Sequence, residues 1–97
     1  MKSRFTDAAQ ASYSAVIDYL LDHNPFTAEH FVADVDAALD RLKRFPAMGV
    51  VVRESPTGPI RQFLVLPYRF FYRIDGDTVL IVAVWHGAQQ VELLAAG

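Results

Sequence analysis

The chain contains no cysteine, which excludes a disulfide framework and any thiolate metal site. No apolar run approaches the roughly 18 residues that a membrane-spanning helix needs, and the opening MKSRFTDAAQ lacks the apolar centre of a signal peptide. The expected setting is the cytoplasm, with no membrane partner. Basic residues are missing between positions 7 and 40, where Asp7, Asp18, Asp22, Glu29, Asp34, Asp36 and Asp40 stand without a lysine or arginine. No lysine follows Lys43, and the cations Arg41, Lys43, Arg44, Arg53, Arg61, Arg69 and Arg73 gather between 41 and 73 against Glu54 alone. A formal net charge of −2 therefore hides an acidic body with one basic segment, which would steer an anionic partner to one side. The same net acidity disfavours a protein that must hold many phosphates, because phosphate contacts dominate nucleic-acid affinity. His23 and His30 lack a third ligand at suitable spacing, so neither a metal nor a cofactor is expected.

What is present suits one domain over 1–97, long enough to bury roughly 60 to 70% of its unfolded surface. Apolar content of 53% is high for so small a chain and suggests that a partner covers some apolar surface. Residues 61–87, RQFLVLPYRFFYRIDGDTVLIVAVWHG, read as consecutive strands with Pro67 at one corner. Asp75-Gly76-Asp77 divides two runs rich in β-branched and aromatic residues, a strong hairpin signal because glycine accepts the positive φ of a primed turn. Either choice of turn pair gives the same parity. One face then carries Tyr68, Phe70, Tyr72, Ile74, Val79, Ile81, Ala83 and Trp85, without charge, and is expected to cover the core. The other carries Arg69, Phe71, Arg73, Leu80, Val82, Val84 and His86 and is the expected working surface; Arg61 joins it only if the Pro67 corner contains a bulge.

In chain order, Lys2 to Phe5 reads as a first strand with Phe5 inward. A helix follows, started either by the capping-box spacing of Asp7 and Gln10 or by Thr6, with Ala9, Tyr13, Val16, Ile17, Leu20 and Leu21 on one stripe. Asn24-Pro25 is expected to end it, and Thr27 to cap a second helix whose apolar residues keep the helical period from Ala28 to Phe45. Phe45-Pro46 stops that helix, Pro46 to Gly49 forms a loop, Val50 to Arg53 a strand, and Ser55 to Pro59 a turn-rich corner. The tail GAQQVELLAAG is expected to form a last helical turn or two, or to fray. The fold class is α+β: an antiparallel helix hairpin packed on one face of a twisted, mostly antiparallel sheet of four to five strands.

The order and spacing of several residue groups carry a resemblance that spans almost the whole chain. They are Phe5-Thr6 with Ala8-Ala9, Ile17-x-Tyr19-Leu20, Ala28 to Phe31, Leu42 with Phe45-Pro46 and Gly49, Arg61, Pro67-Tyr68-Arg69, Tyr72-Arg73-Ile74 and Val84-Trp85-His86-Gly87. Together they resemble the RelE/ParE superfamily of toxins from bacterial type II toxin-antitoxin modules, including the ParE-like plasmid-stabilisation toxins. The resemblance implies a growth inhibitor that its cognate antitoxin wraps and silences in a hetero-oligomeric complex. ParE-like members bind DNA gyrase and hydrolyse nothing, whereas RelE-like members cut messenger RNA on the ribosome. RNA cleavage needs a proton acceptor, a proton donor and cations for the developing phosphorane charge; His86 with Arg61 and Arg73 are the candidate catalytic set. The candidate set for binding target or antitoxin is Arg53, Arg61, Arg69, Phe71, Arg73 and His86. The absence of late lysines and the sequence Gly87-Ala88-Gln89-Gln90 after the histidine favour the gyrase-binding branch over the endoribonuclease. A degenerate homologue that binds antitoxin without toxicity is the further alternative.

Overall fold

The computed structural model describes residues 1–87. In chain order the elements are β1 (Lys2–Phe5), α1 (Asp7–His23), α2 (Pro25–Arg44), a 3-10 turn (Pro46–Met48), β2 (Val50–Arg53), β3 (Ile60–Val65), β4 (Tyr68–Asp75) and β5 (Thr78–His86). The expected terminal helix lies from 88 onward, outside the described residues.

Thr6 begins α1: its backbone is extended and its hydroxyl accepts the Ala9 N–H at 3.2 Å, so the threonine cap operates, not a box from Asp7. The start of α2 departs from expectation. Asn24 is its cap, accepting the N–H groups of Phe26 and Thr27 at 3.1 and 3.3 Å, and Pro25 is the first helical residue. Proline is tolerated there because the N–H it lacks would have had no intrahelical partner. Asn24-Pro25 thus both ends α1 and opens α2, leaving a one-residue connection, and Thr27, expected as the cap, lies inside the helix.

The hairpin lies across one face of a five-stranded sheet with strand order β1-β5-β4-β3-β2. β1 runs parallel to β5 and every other neighbouring pair is antiparallel. The core joins Tyr13 of α1 and Phe31, Val35 and Leu42 of α2 to Phe70, Tyr72, Val79, Ile81 and Val84 of the sheet. Tyr13 is its aromatic hub, with ring centroids 5.2 Å from Phe5, 6.0 Å from Phe31 and 5.9 Å from Phe70. Full burial of side chains this large contributes about 1.5 to 3 kcal/mol each.

Two corners set which residues face the helices. The Leu66-Pro67 corner keeps a regular register, Val65 opposite Tyr68 and Arg61 opposite Tyr72. Arg61 therefore shares the helix-facing side with Tyr72, and there is no bulge to bring it across. At the other corner Asp75 pairs with Thr78, so Gly76-Asp77 is the two-residue loop. Gly76 supplies the positive φ, 59°, while Asp77 has none, the φ signs of a type II′ turn.

The irregularity is in β5. Tyr72 pairs with Ile81, but Phe71 pairs with Ala83, leaving Val82 as an extra residue in a β-bulge. A one-residue slip exchanges faces for everything beyond it. Val84 joins the core, Trp85 packs its ring 5.2 Å from Phe71 on the far side, and His86 lies against Tyr68, their ring centroids 5.5 Å apart. The expected placement of Ala83 and Trp85 inward and of Val84 and His86 outward is thus corrected by the bulge.

Candidate functional site

The sequence-predicted site residues divide between the two sides of the sheet. On the helix side, the Arg61 guanidinium donates from Nη1 to the carbonyls of Ala47 and Gly49, both at 2.9 Å. The Tyr72 hydroxyl, fully buried beside it, donates to the Pro46 carbonyl at 2.6 Å and accepts the Gly49 N–H at 2.9 Å. Four hydrogen bonds thus bind the 3-10 turn and Gly49 to the sheet. Burial raises the Tyr72 phenol above its ordinary value of 10.0, although the Gly49 N–H and the Arg61 charge pull the other way.

His86, also on the helix side, is solvent-exposed at the rim of a cleft of about 510 Å³ with Pro67, Tyr68 and Val16, Tyr19 and Leu20 of α1. This cleft is chiefly apolar. No cation of the arginine set lines it.

The opposite side carries Arg53, Arg69, Phe71, Arg73 and Trp85. Arg53 and Arg73 line a second cleft, of about 520 Å³, with Trp85, Ser55, Thr57 and Ile60. Arg73 stands 3.9 Å from the Asp75 carboxylate, at the limit of an ion pair, and a pair that exposed is worth little. Arg69 is held more closely: its Nε and Nη2 both donate to Oε1 of Gln62, at 3.1 and 2.8 Å, and its Cζ lies 5.3 Å from the centre of the Phe71 ring. Phe71 itself is fully buried, under Arg69 and Trp85, and serves as a platform for them, not as a contact surface.

The arrangement brings Arg53 and Arg73 together and aligns Arg69 with Trp85; it does not bring Arg61 or His86 to the same side. The missed residues are Gln62, which orients Arg69, and Trp85, which the uninterrupted strand parity directs inward. Gln62 has a weak signal: on β3 it falls opposite Phe71, one residue pair from Arg69, where a polar side chain can reach a guanidinium across the strands. Trp85 has none, since the run Leu80 to Val84 is apolar throughout and shows no alternation from which an extra residue could be noticed.

This geometry has relatives. The family model of the ParE toxin of the type II toxin-antitoxin system parDE matches residues 4–91. The chain belongs to the ParE toxin family. The toxin RelE1 of Caulobacter vibrioides is 29% identical to this ParE-family chain over 87 residues, covering 84% of this chain and 88% of that one. A chain from the solved chromosomal ParDE toxin-antitoxin system of P. aeruginosa superposes with a TM-score of 0.69 at 21% identity, over 89% of this chain and 95% of that one, which establishes a common fold. The protein is a ParE-like toxin of a type II toxin-antitoxin system, and its family implies an antitoxin partner.

Proposed function

We propose that this ParE-family toxin inhibits growth by binding, without hydrolysing nucleic acid, that its target is DNA gyrase, and that its cognate antitoxin neutralises it. One observation carries the choice of mechanism. A ribonuclease built on His86, Arg61 and Arg73 would need the three to converge on one phosphate, yet the bulge at Val82 turns His86 to the helix side and Arg73 lies on the opposite face. Arg61, although on the helix side, spends its Nη1 donors on two loop carbonyls. Gyrase as target is supported by the family alone, and the net charge of −2 agrees with a protein partner better than with a messenger RNA track.

The test is expression from a tightly controlled promoter, following messenger RNA integrity, protein synthesis, the DNA damage response and filamentation over the first minutes. The expected outcome is filamentation and a damage response with transcripts intact, reproduced in vitro as inhibition of gyrase supercoiling. Prompt transcript cleavage that disappears in His86→Ala would refute the binding mechanism and restore the RelE-like reading.

A further inference from the structure

One cleft has walls unlike the rest of the surface: it opens between the start of α1, at Ala8 and Ser12, and the connection from β2 to β3. The chain carries 11 acidic residues, yet among the described residues none lines this cleft, whereas Arg53 of β2 and Arg73 of β4 both do. β3 lies between those strands, so the two cations flank the cleft from backbones about 9.6 Å apart. The Asp75 carboxylate stands 3.9 Å from Arg73 and is over half exposed, so water screens most of what it would neutralise.

The floor of the cleft comes from the bulge. Val82, the extra residue, lines it beside Ala83 and Trp85. A bulge breaks strand pairing locally and re-aims the side chains that follow, and here it brings the chain's one tryptophan to the two arginines. Trp85 packs edge-on against Phe71, at 66°, and is half-buried, so part of the indole stays open to the cleft. Ile60 extends the apolar wall, and Ser12 and Thr57 supply hydroxyls from α1 and from the connection. The volume, about 520 Å³, falls within the roughly 300 to 1,000 Å³ of pockets that hold small molecules.

We infer that this cleft binds a nucleoside monophosphate, with its phosphate held between Arg53 and Arg73 and its base laid against Trp85. At pH 7 such a phosphate carries about −1.5 to −2 charges and offers acceptor oxygens on several sides, which suits two planar guanidinium forks. A carboxylate would employ one fork and leave the other. The apolar floor calls for a ring beside the anion, and stacking on an aromatic side chain tolerates any base. Inorganic phosphate would satisfy the arginines and leave Trp85, Val82 and Ile60 bare. A longer single strand fits less well, since its further phosphates would pass over a body of net charge −2.

Because Trp85 is the only tryptophan, its fluorescence reports the site without a label. The experiment titrates the full chain with AMP, adenosine and inorganic phosphate, reading Trp85 emission and, independently, heat by calorimetry. AMP should give a saturable change in both with a Kd below about 1 mM. Adenosine and inorganic phosphate, each making half of the contacts, should bind at least about tenfold more weakly. Arg53→Gln and Arg73→Gln should each weaken AMP by about tenfold or more, with circular dichroism unchanged. By calorimetry, Trp85→Phe should stay within about threefold of wild type and Trp85→Ala should lose at least about tenfold. Arg44→Gln, on the exposed last turn of α2, removes the same charge elsewhere and should leave AMP binding within about twofold. No saturable signal or heat with AMP up to about 10 mM overturns the site, as does inorganic phosphate binding as tightly as AMP, or Arg44→Gln costing as much as Arg73→Gln. A single-stranded RNA 20-mer that binds at least about a hundredfold more tightly than AMP, with the same dependence on Arg53 and Arg73, assigns the cleft to RNA and overturns it as well.

Discussion

Replacing Tyr72 by Phe removes one oxygen and leaves the ring in place, so it isolates the tether between the sheet and the turn that ends α2. In the native chain that oxygen donates to Pro46 and accepts from Gly49. Without it, a Gly49 N–H in a buried residue and the Pro46 carbonyl both lose their partner. A buried polar group left unsatisfied costs about 1 to 3 kcal/mol; with Pro46 only half-buried and open to water, we expect a total near 2 kcal/mol. In a domain of this size each kcal/mol lowers Tm by about 4 to 8 °C, so Tyr72→Phe should melt roughly 8 to 16 °C below wild type. The pH dependence gives an independent check. Burial raises the phenol above 10.0 in the folded chain, so the folded state prefers the neutral form. The stabilisation is complete below pH 10 and is lost as pH rises from there through the raised value. The stability gap between wild type and Tyr72→Phe, measured by urea unfolding, should therefore hold steady to about pH 10 and narrow above it. A loss under about 0.5 kcal/mol, or a gap that widens in alkali, would refute the tether.

Gly49→Ala should be comparably harmful for the complementary reason: an added Cβ would lie 2.5 Å from the Tyr72 hydroxyl and 2.9 Å from the Gln62 carbonyl, and relieving such overpacking costs about 1 to 3 kcal/mol, read as a lower urea midpoint. His86→Ala should remain fully toxic on induction, because the ring is at an exposed strand end away from Arg73; transcript cleavage by the wild type that His86→Ala loses, with the fold retained by circular dichroism, would contradict the binding mechanism. Tyr72→Asp should abolish soluble expression by burying a charge in the core, whereas Arg73→Asp, on the half-exposed far side, should purify as wild type does. Equal solubility of the two aspartates would contradict the assignment of faces.

The parts of the fold that were legible in the sequence are those where local chemistry and packing agree. Asp75-Gly76-Asp77 announced the hairpin because only a glycine accepts the 59° φ at that loop position without strain, and the period of α2 was visible because Ala28, Phe31, Val35, Ala38, Leu39 and Leu42 all face the sheet. The start of α2 was misread because Asn-Pro stops a preceding helix and can also open the next, and only the hydrogen bonds of Asn24 show that it does the second here. The candidate site was legible in its residue types more than in its geometry. Arg69 and Arg73 were expected on the face away from the helices and lie there, and Arg53, which had no expected face, lies beside Arg73. Phe71, expected as a contact residue, is sealed beneath its neighbours.

The face occupied by His86 follows from one unpaired residue. Between Tyr72 and Phe71 the partner strand advances by two, and the four residues that end β5 change sides together. A regular β5 would present His86 on the same side as Arg69 and Arg73 and would bury Trp85 under the helices. The bulged strand does the reverse: it gives the cationic face an indole and gives the helix side a histidine. An apolar run such as Leu80 to Val84 contains no residue that betrays the extra position, because either side of this sheet accepts an aliphatic side chain. The same Trp-His pair at a strand end thus fits a site for proton transfer or a site for holding a partner, and the choice depends on whether Val82, four residues before the histidine, is paired.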